Sequence, residues 1–177
     1  MYIILQLFSS VLFLSGLGLT NWQQFESYEG KFRVLTPGSM TEKVDSSHTD
    51  LGDLAYHVFY YQSEKRDADN LFYMVSYCDY PTNSIHSDST EVLEEFFQAT
   101  IETAAQSVDG KVIYSTDIDY NDYPGKFWRI EYLKGDVIIK TKAFIIGTRY
   151  YSLQTIMFKN KSLNPSTDKF FDSFRIF

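Results

Sequence analysis

The sequence predicts an α+β domain, a single, mainly antiparallel sheet covered by one long and one short helix. Three observations carry that expectation. Residues 123–158 read as a meander of three adjacent strands, runs of Ile, Val, Tyr, Phe, Trp and Thr broken only by short turns at Gly135 and Gly147. The other strand-like runs are joined by short turns, as antiparallel neighbours are. Helical periodicity is confined to one long stretch before the meander and one short stretch after it, and no linker or repeat divides the chain.

Taken in order, QFESYEGKFRVLTP (residues 24–37) reads as a hairpin turning at Glu29 and Gly30, with Phe32 and Val34 alternating on the return and Pro37 and Gly38 ending it. Residues 40–50 are polar and suit a short edge strand. LGDLAYHVFYYQ (51–62) sets Leu54, Tyr56, Val58 and Tyr60 on one face and Ala55, His57, Phe59 and Tyr61 on the other, and SEKRDADN is a charged loop. LFYMVSYCDY (71–80) is apolar almost throughout, which predicts a central strand; Pro81 stops it. Asp88 or Ser89 then caps a helix on which Val92, Leu93, Phe96, Phe97, Ile101, Ala104 and Val108 recur. Glu91, Glu94 and Glu95 favour its N-terminal end and Gly110 its stop. Residues 111–120 form a strand leading through Asn121 and Asp122 into the meander, and a final helix starting near 165–167 presents Phe170, Phe171 and Phe174.

Register within the meander follows from which face is apolar, because a slip of one residue exchanges the faces. A two-residue turn at Gly135 and Asp136 sets Glu131 opposite Lys140 and Arg129 opposite Lys142, with Trp128, Ile130 and Tyr132 opposite Ala143, Thr141 and Ile139. For the second hairpin a three-residue loop, Gly147 to Arg149, is expected, since it puts Tyr151, Leu153, Thr155 and Met157 on the Trp128 face in place of Ser152 and Gln154. The result is one apolar face beneath a helix and a charged ladder on the other.

Composition narrows the function. A chain of 177 residues, 44% hydrophobic and 18% aromatic, folds as one domain, and a net charge of -7 without a Lys/Arg-dense face argues against nucleic acid as partner. Residues 1–20, MYIILQLFSSVLFLSGLGLT, carry no charged side chain and end at an abrupt polar shift, with Gly16 and Gly18 or Gly18 and Thr20 suiting a cleavage site. They read as a signal peptide, leaving residues 21–177 as one periplasmic or secreted domain. No Lys or Arg precedes Lys31, so an uncleaved anchor, the only membrane contact expected, and a buried helix stay open.

Candidate chemistry is sparse. His48, His57 and His86 lie in three segments without paired spacing, Cys78 is alone in a strand, and no GxSxG elbow occurs. Catalytic, cofactor and metal residues are therefore assigned to none. Asp117, Asp119, Asn121 and Asp122 imitate the opening of a calcium loop, but Asp122 stands where Gly is needed and Trp128 where a bidentate Glu is needed. Tyr56, Tyr60, Tyr61, Tyr73, Tyr77, Tyr80, Tyr150 and Tyr151 fall on strands and either fill a core or stack against a partner or sugar. Asn160, Lys161 and Ser162 form a glycosylation sequon, meaningful only in a eukaryote.

The phrases FESYEGKFRVLTPGSM, LGDLAYHVFYYQ, LFYMVSYCDYP, YPGKFWRIEY, IIGTRYYSLQTI and FFDSFRIF, with the helix between them, resemble exported bacterial proteins of the PsbP-like fold over residues 22–177. That fold is shared by the extrinsic photosystem II protein PsbP and a Ran-binding import factor. The resemblance implies an α/β/α sandwich and work in binding or assembly without chemistry; it carries no site residue. The expected function is a non-enzymatic exported binding or accessory domain with a protein partner. The alternatives are a small-ligand or carbohydrate binder with an aromatic-lined pocket and, third, a hydrolase. Intact-mass analysis of the protein secreted by its native host is expected to show a chain without residues 1–20; a secreted chain that keeps them overturns the leader.

Overall fold

The computed structural model describes residues 22–49 and 52–177, so the leader assigned to residues 1–20 lies outside the described residues. Alternating apolar residues build the first hairpin, β1 (Gln23–Ser27) and β2 (Phe32–Thr36), with Ser27 opposite Phe32. It does not join the main sheet. The end of the chain, β10 (Arg175–Ile176), pairs with the free side of β2, giving a three-stranded sheet in the order β1-β2-β10.

The main sheet has seven strands: β3 (Thr41–Thr49), β4 (Gly52–Gln62), β5 (Phe72–Asp79), β6 (Lys111–Tyr120), β7 (Tyr123–Tyr132), β8 (Val137–Ile146) and β9 (Arg149–Phe158). Their order is β3-β4-β5-β9-β8-β7-β6, every neighbour antiparallel. With α1 (Thr90–Ser107) and α2 (Pro165–Asp172), the class is α+β as expected, but with two sheets in place of one. The edge strands are β3, which carries Glu42, Lys43, Asp45 and His48, and β6, whose pairing slips at a bulge between Val112 and Tyr114.

Two apolar clusters hold the layers together. On one face the small sheet and α2 cover the main sheet, joining Phe32, Val34, Phe170, Phe171 and Phe174 to Phe59, Tyr73, Val75, Tyr77, Tyr151 and Leu153. On the other, Leu93, Phe97, Ile101 and Ala105 of α1 meet Trp128, Ile130, Ile139 and Ala143. Helix α1 begins at the expected Ser89 without a side-chain cap, and Asp109, at φ 50°, takes the left-handed position before Gly110, whose N–H closes on the Ala105 carbonyl at 2.8 Å. Helix α2 is capped by Asn164, whose side-chain oxygen accepts the Thr167 N–H at 2.8 Å.

The meander register differs from expectation at both turns. Leu133, Lys134 and Gly135 all adopt positive φ, so Tyr132 pairs with Val137 across a four-residue connection. Pairing moves by two residues: Trp128 faces Thr141, Arg129 faces Lys140 and Ile130 faces Ile139. An even shift keeps each side chain on its face but dissolves the charged ladder. Arg129 instead donates to Glu131 on its own strand at 2.6 Å, Lys140 to the Ser162 carbonyl at 2.6 Å and Lys142 to Asp172 at 3.3 Å.

At the second turn Ile146 pairs with Arg149 across two residues, with positive φ (61°) at Gly147 only. The three-residue loop is therefore wrong. Tyr150, Ser152, Gln154 and Ile156 share the Trp128 face, whereas Tyr151, Leu153, Thr155 and Met157 point to the small sheet and α2. Both faces of β8 and β9 are covered, so apolar residues find a core on either side. The polar pair on the helix face is satisfied internally, Gln154 Nε2 donating to Thr141 Oγ1 at 3.1 Å.

Phe32 is wholly buried, with the rings of Phe25, Phe59, Tyr77, Tyr151 and Phe174 centred 5.7–6.5 Å away. Phe32→Ala is expected to lower stability by about 3–5 kcal/mol in urea titration, whereas Phe158→Ala, at a 41% exposed site, costs far less; equal losses contradict this core.

Candidate functional site

The titratable residues are dispersed rather than gathered. Across the β3–β4 edge, His48 Nδ1 lies 2.7 Å from Asp53 Oδ1, both exposed. His57 stacks flat on Tyr77, 4.5 Å between ring centres, with its Nδ1 3.6 Å from Glu42 Oε1, just beyond hydrogen-bond reach. His86 Nδ1 accepts the Asp88 N–H at 3.2 Å. Among the described residues no group of three or more His, Cys, Asp or Glu side chains is placed to hold a metal ion.

The aspartates resembling a calcium loop are taken apart by the turn they form. Asn121 and Asp122, at φ 49° and 69°, are the two central residues of the β6–β7 hairpin, with Tyr120 paired to Tyr123. Asp117 is engaged by Lys126 Nζ at 2.7 Å, and the same ammonium reaches Glu94 of α1 at 2.8 Å. The sequon starts at Asn160, in the short turn Lys159–Lys161.

The tyrosines divide between the faces of the main sheet. Tyr73, Tyr77 and Tyr151 are 2–3% exposed beneath the small sheet, where the Tyr151 hydroxyl donates to the Gly30 carbonyl at 2.8 Å. Arg149 grips Asp79 with two hydrogen bonds of 2.5 and 2.6 Å, donates to the Glu29 carbonyl at 2.9 Å and lies 4.8 Å over the Tyr77 ring. That combination fastens the β1–β2 loop to the sheet.

The opposite face is only half covered. Among the described residues, helix α1 packs chiefly across β6 and β7 and leaves much of β4 and β5 uncovered on this face, although Leu54 and Cys78 there are buried. On β5 the contrast is direct: Tyr73, Val75 and Tyr77 are 0–3% exposed, whereas Phe72, Met74 and Ser76 are only half-buried. The pairing sets Tyr60 beside Met74 and Phe72 beside Ile156, with half-buried Val58 and Tyr56 further along β4. Where this face meets α1, a hollow of about 420 Å³ is lined by Tyr56, Tyr80, Phe96 and Tyr150. The Tyr56 and Tyr80 hydroxyls are 3.1 Å apart, and burial pushes the Tyr80 and Tyr150 phenols far above 10, so the hollow presents neutral hydroxyls and no base.

A smaller cleft, about 240 Å³, lies on the face of the small sheet, with Trp22, Tyr61 and Tyr73 as its rings and Lys65, Asp67 and Asp69 on its walls.

No family model matches the sequence, and no curated protein matches it. The fold does have counterparts among solved structures. The solution structure of cyanobacterial PsbP (CyanoP) from Synechocystis sp. PCC 6803 superposes with a TM-score of 0.60, covering 92% of this chain and 96% of that chain at 15% identity. The fold is PsbP-like. At that identity the likeness is one of architecture and brings no site residue with it.

On this PsbP-like frame the open face was visible in the sequence only as an excess of strand tyrosines; the unusual feature, an apolar run on both faces of β5 beside a single long helix, is the signal that marks it. The cleft went unread because residues 63–70 look like a solvated loop.

Burial also fixes the alkaline behaviour. The Cys78 thiol is pushed up to about 11 from 9.0 by burial, then by the Asp79 charge, and the Tyr77 phenol to about 12 from 10.0 by burial, then by Glu29. Above those ordinary values the unfolded chain releases protons that the folded chain keeps. Stability from these groups is therefore full below pH 9.0 and is lost as pH rises through about 11 and then about 12. Urea midpoints measured from neutral to alkaline pH are expected to fall in that window, with Cys78→Ala removing the lower part; a flat profile contradicts it.

Proposed function

We propose that this chain is a non-enzymatic binding domain, an accessory or assembly factor for a protein partner, exported by a leader in residues 1–20 and acting as one domain over residues 21–177. The observation that supports it is the open half of the main sheet. A central strand exposes side chains to water cheaply only when they are polar. On β5 and its neighbours they are Phe72, Met74, Tyr60, Val58 and Ile156, types suited to an interface core.

The PsbP-like likeness supports the same reading by analogy of fold only. The histidines face separate neighbours and the hollow phenols stay protonated, which favours binding over hydrolysis. Among the described residues no helix is long and apolar enough to cross a membrane. The second reading, a small-ligand or carbohydrate site, draws its support from the 240 Å³ cleft on the other face.

The test is capture on the full chain from envelope extracts of the native host in mild detergent. A protein partner is expected, with Met74→Asp and Tyr60→Asp each lowering its recovery by at least about tenfold while the melting temperature stays near that of the parent. Recovery of no partner, or undiminished recovery by folded variants, overturns the proposal.

A further inference from the structure

The cleft beneath Trp22 combines features that the partner-binding face lacks. Three aromatic rings point in different directions: Trp22 stands at 89° to Tyr73 with centres 5.6 Å apart, and Tyr61 at 54° to Tyr73 at 6.2 Å. The rings are held in place. Lys169 Nζ lies 4.6 Å from the Trp22 ring, and the backbone at Gly38 presses on Tyr61 so closely that a Cβ there would come within 2.3 Å of Cε2.

Behind the rings the wall is fixed by buried hydrogen bonds. Asn70, 1% exposed, accepts from Thr167 Oγ1 at 3.0 Å and Asn164 Nδ2 at 3.2 Å, and Ser166 Oγ donates to Asp69 Oδ2 at 2.6 Å. Other polar groups are uncommitted. Among the described residues the Asp67 carboxylate, Asp69 Oδ1, the Lys65 ammonium, the Tyr61 hydroxyl and the Trp22 indole N–H have no hydrogen-bond or ion-pair partner, and all belong to residues lining this cleft.

Size and polarity together select a ligand class. At 240 Å³ the cleft lies below the about 300–1,000 Å³ usual for drug-sized ligands, so it suits a single ring-sized group. An anion meets Asp67 and Asp69 and a cation meets Lys65, while an apolar ring makes no use of either kind of charge, Lys65 and Asp67 being exposed at the rim. A pyranose answers all of them, because its C–H face stacks on an aromatic ring while each hydroxyl donates to a carboxylate and accepts from an ammonium or N–H. We propose that this cleft binds one pyranose residue of a neutral saccharide. It lies on the face of the main sheet opposite the partner surface, so the two sites stand or fall separately.

Trp128 is 2% exposed, which leaves Trp22 as the tryptophan able to report on the cleft. The full chain in mild detergent is titrated with maltotriose, cellotriose and N,N′-diacetylchitobiose, following tryptophan fluorescence and calorimetric heat. At least one saccharide is expected to saturate with a dissociation constant of about 10 mM or tighter, with the fluorescence change lost in Trp22→Phe. Asp67→Ala, at an exposed rim position, and Tyr61→Ala are each expected to weaken it at least about tenfold, the former without a change in melting temperature. The proposal is overturned if no saccharide saturates by about 50 mM, if both variants leave the affinity unchanged, or if choline chloride or sodium phosphate saturates where the saccharides do not.

Discussion

Phe32 occupies the point at which two sheets and the segment after α2 must meet. Its ring lies between Phe59 and Tyr77 of the main sheet, Phe25 of its own hairpin and Phe174 at the end of α2. A two-residue strand such as β10 has too few hydrogen bonds to persist alone. It is held because Phe174 anchors the chain just before it and because the Phe177 N–H and Lys31 carbonyl, at 3.1 Å, continue the pairing with β2. The small sheet thus depends on the core beneath it, and the core on the small sheet covering Tyr77, Tyr151 and Leu153.

That mutual dependence explains what was legible in the sequence. The kind and place of nearly every long element could be read, because the amphipathic spacing from Val92 to Val108 and the alternation in residues 51–62 and 71–80 depend on local burial. The register of β8 and β9 could not. Alternation identifies a face only when the other face is wet, and here Ile138, Ile139, Tyr150 and Tyr151 are all buried although they point both ways. Ser152 and Gln154 looked unsuited to the helix side, yet the Gln154–Thr141 hydrogen bond makes that side tolerable for them.

The second sheet was hidden for a different reason. Arg175 and Ile176 are too few to show a period, and only the tertiary position of Phe174 brings them to β2. Likewise the cleft joins Trp22, residues 61–73 and Ser166, which are far apart in the chain, so no local spacing announces it. The open face occupies an intermediate place: Tyr56, Val58 and Tyr60 were named but Phe72, Met74 and Ile156 were not, and their partial exposure follows from α1 lying chiefly over β6 and β7.

The two sheet edges bear on how such a face can exist in solution. An apolar sheet surface next to a flat, unpaired edge invites copies to stack into a growing ribbon. Here one edge carries Glu42, Lys43, Asp45 and His48, and the other is kinked at Val112 and Tyr114. Copies of the chain cannot extend the sheet strand by strand without burying those charges or straightening that kink. The charged edge and the kinked edge thus oppose ribbon growth even though the sheet between them carries an apolar surface.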